Sequence, residues 1–192
     1  MEIEYEQSIA VLVTAFQHDP VSRWVFPDDA TRPAAMARLF APLVRRSAAT
    51  GDLATAGDGA AVAVWVRLAA GETGMEDEGE LPPELAPHVS RLVTFAELAG
   101  RRHPHDRAHL YLPFLGVAPA QHGRGLGSEL LARRLACADA EGLPAYLEAS
   151  SARSRPLYAR HGFCDTGEPI TLPDGPPLWP MWREPSTQEK GQ

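Results

Sequence analysis

Residues 115–135 read LGVAPAQHGRGLGSELLARRL, and no other stretch restricts the fold as much. A β-type run, HLYLPFLGVAP, ends just before three alternating glycines, Gly123, Gly125 and Gly127. A helical pattern carrying Leu126, Leu130, Leu131, Leu135 and Ala138 on one stripe begins among them. Successive glycines at a helix start let backbone N–H groups converge with no Cβ in the way. Those donors and the positive end of the helix dipole make an anion site, typically for phosphate. The chain is therefore expected to hold a phosphate or pyrophosphate near residues 122–128.

Two common phosphate loops fit poorly. A Walker loop needs Lys and then Ser or Thr after its last glycine, whereas Leu126, Gly127 and Ser128 follow Gly125. A dinucleotide loop, G-x-G-x-x-G, is met by Gly123 and Gly125, but Ser128 stands at its sixth place. Five residues, Ala118 to His122, also separate the strand from the first glycine.

The rest of the chain alternates helical and β patterns. Helices are expected over Tyr5–Phe16, Pro33–Ala48, His88–Gly100 and Leu126–Glu141, with a short one in RPLYARHG. HDPVSRWVFPDDATRP reads as a turn-rich loop. LATA and AAVAVWVRL flank GDG as a hairpin, PAYLEAS is a short strand, and TLPDGPPLWPMWREP is a hairpin arm. AAGETGMEDEGELPPELAP is acidic and reads as a mobile, solvated loop. The expectation is one α+β domain over residues 1–185, built on one mostly antiparallel sheet flanked by helices, with a disordered tail at 186–192.

Composition narrows the function. A net charge of −7 argues against a nucleic-acid partner, which calls for a basic surface. The apolar run near the N-terminus is too short for a signal peptide or a membrane span, so a cytoplasmic protein with no membrane partner is expected. The two cysteines, Cys137 and Cys164, form no ligand cluster, so no metal is expected. Cys137 reads as a small core residue.

VAPAQHGRGLGSELL resembles the Q/R-x-x-G-x-G/A loop of the GCN5-related N-acetyltransferase (GNAT) superfamily, and LYARHGF resembles that family's C-terminal LY…GF segment. GDGAAVAVW, GVAPAQHGRGLGS, GLPAYLEASSARSRPLYARHGF and PDGPPLWPMWREP are most similar to puromycin-acetyltransferase-like, antibiotic-modifying members. The resemblance implies a splayed central sheet and transfer of acetyl from acetyl-CoA to a primary amine of a small molecule such as an aminonucleoside. It also implies main-chain contacts to the pantetheine arm from Leu115, Gly116 and Val117. The pyrophosphate falls to Gln121, His122, Gly123, Arg124, Gly125, Leu126, Gly127 and Ser128. Ser151 stands where many members carry a cofactor-contacting Asn.

Acetyl transfer to an amine needs a base for the amine proton and an acid for the departing thiolate. Tyr158 matches the family's acid. Glu148, near the end of its strand, is the candidate base or the anchor of a substrate ammonium, and His109 is the reserve base. Trp24, Phe26, Tyr111 and Trp179 are candidates to wall the acceptor pocket. The alternatives are a protein N-terminal or lysine acetyltransferase, or a GNAT-like module that binds acyl-CoA without turnover. The chain is expected to act as a monomer or homodimer.

Overall fold

The computed structural model describes residues 2–72 and 81–186. Among them run α1 (Glu2–Phe16), α2 (Pro20–Val25), α3 (Arg32–Ala49), β1 (Ala54–Ala56), β2 (Ala61–Leu68), α4 (Val89–Gly100) and β3 (His109–Val117). They continue with α5 (Leu126–Glu141), β4 (Ala145–Ala149), α6 (Arg155–Arg160), β5 (Cys164–Asp165), β6 (Ile170–Thr171) and β7 (Pro177–Arg183). The sheet order is β1-β2-β3-β4-β7-β5, with β6 on β7. Every pair is antiparallel except β3 with β4.

Helices cover both faces, which explains why β2 reads AVAVWVRL without polar alternation. Ala61, Ala63 and Trp65 pack with Leu130, Leu131 and Leu135 of α5. Val62 and Val64 face the other way, toward Leu12 of α1 and Met36, Phe40 and Val44 of α3. Gly116 lets α1 approach the sheet: a Cβ there would lie 2.9 Å from Leu12 Cδ2 and 3.0 Å from the Ala15 Cβ.

β3 carries an irregularity. Val64 pairs with Phe114 but Val66 pairs with Tyr111, so three steps on β3 match two on β2. Pro113 lies within the longer segment, where its missing N–H costs no ladder bond.

Several expectations change. HDPVSRWVFPDDATRP is not all loop. Asp19 Oδ1 accepts from Val21 N at 2.9 Å and Ser22 N at 3.1 Å, capping α2 with Pro20 in its first turn. Cys137 is exposed, because it lies off the stripe that buries Leu131, Arg134, Leu135 and Ala138. The acidic run after β2 is pinned at its end: Leu85 is buried in the α1/α3 core and Glu84 pairs with Arg38. Its stretch at 73–80, and the tail at 187–192, lie outside the described residues. No helix among the described residues is long and apolar enough to cross a membrane.

Candidate active site

β3 and the parallel β4 pair only at Leu110 with Ala145 and Tyr111 with Tyr146. Beyond those two positions β3 runs on to Val117 and β4 to Ala149 without pairing. The register irregularity of β3 begins at the same place, so the extra residue turns β3 away from β4. A cleft of ≈ 800 Å³ opens at the parting. Leu115, Gly116 and Val117 form one wall, and Ser150, Ser151, Leu157 and Tyr158 the other. Phe16, His18 and Asp19, at and just after the end of α1, and the glycine loop complete the lining.

The loop has the backbone shape its glycines allow. Gly123 and Gly125 have φ of 77° and 82°, in the left-handed region that side chains disfavour. A Cβ at either would meet nothing within 4 Å, so the space above them is open. Gly125 is the N-cap of α5, and its carbonyl accepts from Glu129 N at 2.9 Å. The amides of Leu126, Gly127 and Ser128 sit in the first turn, where no carbonyl of their own helix reaches them. His122 Nε2 donates to the Val117 carbonyl at 2.9 Å, and Ser128 Oγ lies 2.6 Å from His161 Nε2. Arg153 and Arg160 add positive charge to the lining. Arg124 is exposed beside the cleft.

Asp19 lines the same cleft. Its Oδ2 accepts the Ser150 hydroxyl at 2.5 Å. Burial raises the carboxyl above the usual aspartate range, against the lowering effect of Ser150 and the two capped amides. Tyr158, half-buried on α6, faces the same cleft. Burial, and then the charge of Asp19, push its phenol well up, so it stays protonated. Ser151 is engaged locally: its hydroxyl accepts from Ser154 N at 3.2 Å and lies 3.1 Å from Ser154 Oγ.

Of the twelve loop and wall residues expected to meet the cofactor, all but Arg124 line this cleft. Of the other candidates Tyr158 lines it too, whereas Glu148, His109, Trp24, Phe26, Tyr111 and Trp179 do not. Glu148 has a side chain only 6% exposed, and its Oε2 accepts the Tyr111 hydroxyl at 2.9 Å. Glu148 Oε1 lies 3.8 Å from His103 Nδ1, and among the described residues neither it nor the buried Tyr146 hydroxyl has a hydrogen-bond partner. His109 is fully buried, its Nε2 lies 3.0 Å from His103 Nε2, and its Nδ1 donates to the Arg107 carbonyl at 2.8 Å. Burial lowers its pKa.

Phe26, expected to wall an acceptor pocket, is a core residue packed edge-on to His88, because α2 turns it inward. Trp24 donates to the Pro173 carbonyl at 2.8 Å and stacks with Arg91. Trp179 lies under Arg155 against the α5 core.

The sequence model of the acetyltransferase (GNAT) family matches residues 74–163. An uncharacterized N-acetyltransferase of Schizosaccharomyces pombe is 27% identical over 210 residues, covering 98% of this chain and 83% of its own. The crystal structure of histone acetyltransferase HPA2 and related acetyltransferase from Corynebacterium glutamicum superposes with a TM-score of 0.67 at 29% identity, covering 98% of this chain and 95% of that one. Residues 74–163 are those of a GNAT acetyltransferase, and the chain has the GNAT fold. Arylalkylamine N-acetyltransferase 2 from Aedes aegypti shares the fold of this acetyltransferase at 17% identity, with a TM-score of 0.66 over 97% of this chain and 96% of that one.

GNAT enzymes use acetyl-CoA, which supplies the acetyl group and a thiolate leaving group. The cleft of this acetyltransferase fits that co-substrate. The open space above Gly123 and Gly125, the free first-turn amides of α5, and Arg153 with Arg160 suit a pyrophosphate. The edge of β3 left bare by the parting offers main-chain groups to an amide-bearing arm.

Reading the sequence missed Asp19, Ser150, Arg153 and Arg160. Asp19 had a signal: Asp followed by Pro is a helix-start signature, and it would have revealed α2. Ser150 and the arginines carry no such mark; only the parting of the strands gathers them.

Proposed function

We propose that this acetyltransferase moves the acetyl group of acetyl-CoA to a primary amine of a small molecule. The observation that carries the reading is the polarity of one cleft. Its lining joins arginines and the start of α5 with one carboxyl, Asp19, whose charge reaches Tyr158. A polyanionic donor suits the first set of groups and a cationic amine the second. The arylalkylamine specificity in the name of the mosquito relative points the same way.

In this reading the loop from Gln121 to Ser128 holds the pyrophosphate, with Arg124 and Ser151 at its margins. Main-chain groups of Leu115, Gly116 and Val117 hold the pantetheine arm. Tyr158 gives its hydroxyl proton to the departing sulfur. Glu148 acts from behind the cleft by fixing Tyr111, which makes it an anchor of the acceptor end.

A second reading, a protein substrate, is favoured by the histone acetyltransferase in the description of the Corynebacterium structure. One assay separates the two. Release of free thiol is followed with arylalkylamines, diamines, aminonucleosides, and peptides with free N-termini or lysines. Turnover on the small amines is the expected result. Turnover confined to peptides would replace this reading with the second, and tight acetyl-CoA binding without turnover would make the chain a binding module.

A further inference from the structure

We propose that Asp19 takes the proton of the acceptor amine, with Ser150 holding its second carboxylate oxygen. The proposal rests on the amine-acetylation reading above and names the base for it.

The geometry sets Asp19 apart from every other carboxyl near the site. It lines the cleft, as Tyr158 does, and its charge acts on the Tyr158 phenol. A carboxylate offers about four acceptor positions. Two amides at the start of α2 occupy Oδ1, and Ser150 occupies one position on Oδ2. One position on Oδ2 is left. The three bonds fix the side chain on a helix cap and a strand end, so the free position has a set direction. Glu148, the other acidic candidate, spends Oε2 on Tyr111 and lies off the cleft lining.

The groups facing Asp19 come from four places. His18 precedes it, Ser150 reaches it from the end of β4, Tyr158 on α6 feels its charge, and Arg153 and Arg160 share the lining. Burial outweighs the hydrogen bonds and lifts the carboxyl toward neutrality, which improves an aspartate as a base.

The protons balance. The amine nitrogen forms its bond to the acetyl carbon as the carbon–sulfur bond breaks, and the electron pair leaves on sulfur. The nitrogen's proton passes to Asp19 Oδ2, and the sulfur takes the proton of Tyr158. Return of the proton from Asp19 to Tyr158, through solvent in the same cleft, restores both groups and leaves an amide and a free thiol.

A structural role, capping α2, has to be separated from a chemical one. Asn caps a helix as well as Asp does but cannot act as the base, so Asp19→Asn keeps the first role and removes the second. With an amine accepted by the wild type, kcat at saturating acetyl-CoA is measured against pH for wild type, Asp19→Asn, Ser150→Ala and His18→Gln. The wild-type rate is expected to rise with pH through one group. Asp19→Asn should lose that rise and about 10²-fold in kcat, with coenzyme A affinity by calorimetry unchanged. Ser150→Ala should keep the rise but move it to higher pH, because a bond stabilising the carboxylate is gone. His18→Gln should leave it in place. Carbon NMR titration of the Asp19 carboxyl in the free enzyme should show the same upward move in Ser150→Ala, independently of turnover. An Asp19→Asn enzyme with full kcat and an intact pH rise would overturn the proposal. So would a rise lost in His18→Gln, or an effect of Asp19→Asn confined to the acceptor KM. A wild type that acetylates no amine would overturn the transfer reading and the proposal together.

Discussion

Asp19 and Tyr158 line one cleft, and the negative charge of the first helps hold the proton on the second. One group is set to receive a proton while the other is set to give one. The pairing makes Tyr158 the more exacting of the two to test, because its hydroxyl acts only as the thiolate leaves.

Tyr158→Phe is expected to lower kcat by about 10²-fold with the KM for acetyl-CoA unchanged. Loss confined to kcat marks an interaction made only in the transition state. Steady-state kinetics with varied acetyl-CoA measure it. Full turnover would reduce Tyr158 to a packing residue against Phe163, whose ring centroid is 6.2 Å away.

Gly125→Asp is expected to abolish coenzyme A binding while the chain stays folded. The residue has φ of 82°, and the space around its missing Cβ is open. The substitution therefore brings backbone strain and a negative charge to an anion site, with no clash against protein. Calorimetry on the folded variant decides it, and unchanged affinity would sink the pyrophosphate assignment.

Glu148→Gln should leave the pH profile of kcat intact, since Gln keeps a carbonyl acceptor for Tyr111. Glu148→Ala should be the harsher change. It leaves the Tyr111 hydroxyl without its partner in a buried site, at a cost of about 1–3 kcal/mol. Denaturant unfolding of the two variants reads the difference. A pH rise lost in Glu148→Gln would return the base role to Glu148.

Asp139→Ala should cost about 3 kcal/mol. Arg183, buried on β7, donates to both Asp139 oxygens at 2.7 Å. Removing the partner leaves a buried cation unpaired. The Arg183 hydrogen bonds lower the Asp139 pKa below its unfolded value. The stabilisation is then full above the unfolded aspartate pKa, about 3.9, and fades as pH falls through the lower folded value. The gap in stability between wild type and Asp139→Ala should be constant near neutrality and close only in strong acid.

The glycine loop was legible in the sequence because its residues are consecutive: glycines, helix start and preceding strand are local features. The proposed amine-side groups were not, because Asp19, Ser150 and Tyr158 lie far apart in the chain and only the fold brings them to one cleft. Phe26 shows the same limit from the other side. Its loop-like surroundings suggested a pocket wall, yet the unrecognised α2 directs it into the core. Cys137 was misplaced by a smaller error, since a helix stripe drifts and the buried set runs through Arg134, which pairs with Asp52 at 3.0 Å. Pro113 sits inside HLYLPFLGVAP, read as a single β run, yet it lies within the irregularity at which β3 leaves β4.

That parting gives the acetyltransferase an unfinished sheet. Two strand edges face each other inside the molecule without meeting, a liability most proteins confine to their rims. A ligand that lies along the gap supplies what a missing strand would. The donor is then a part of the architecture as well as a reagent, and occupancy registers as thermal stability. At a donor concentration 100 times its Kd the folded state should gain about 2.7 kcal/mol, and each round of product release should return the sheet to its looser form.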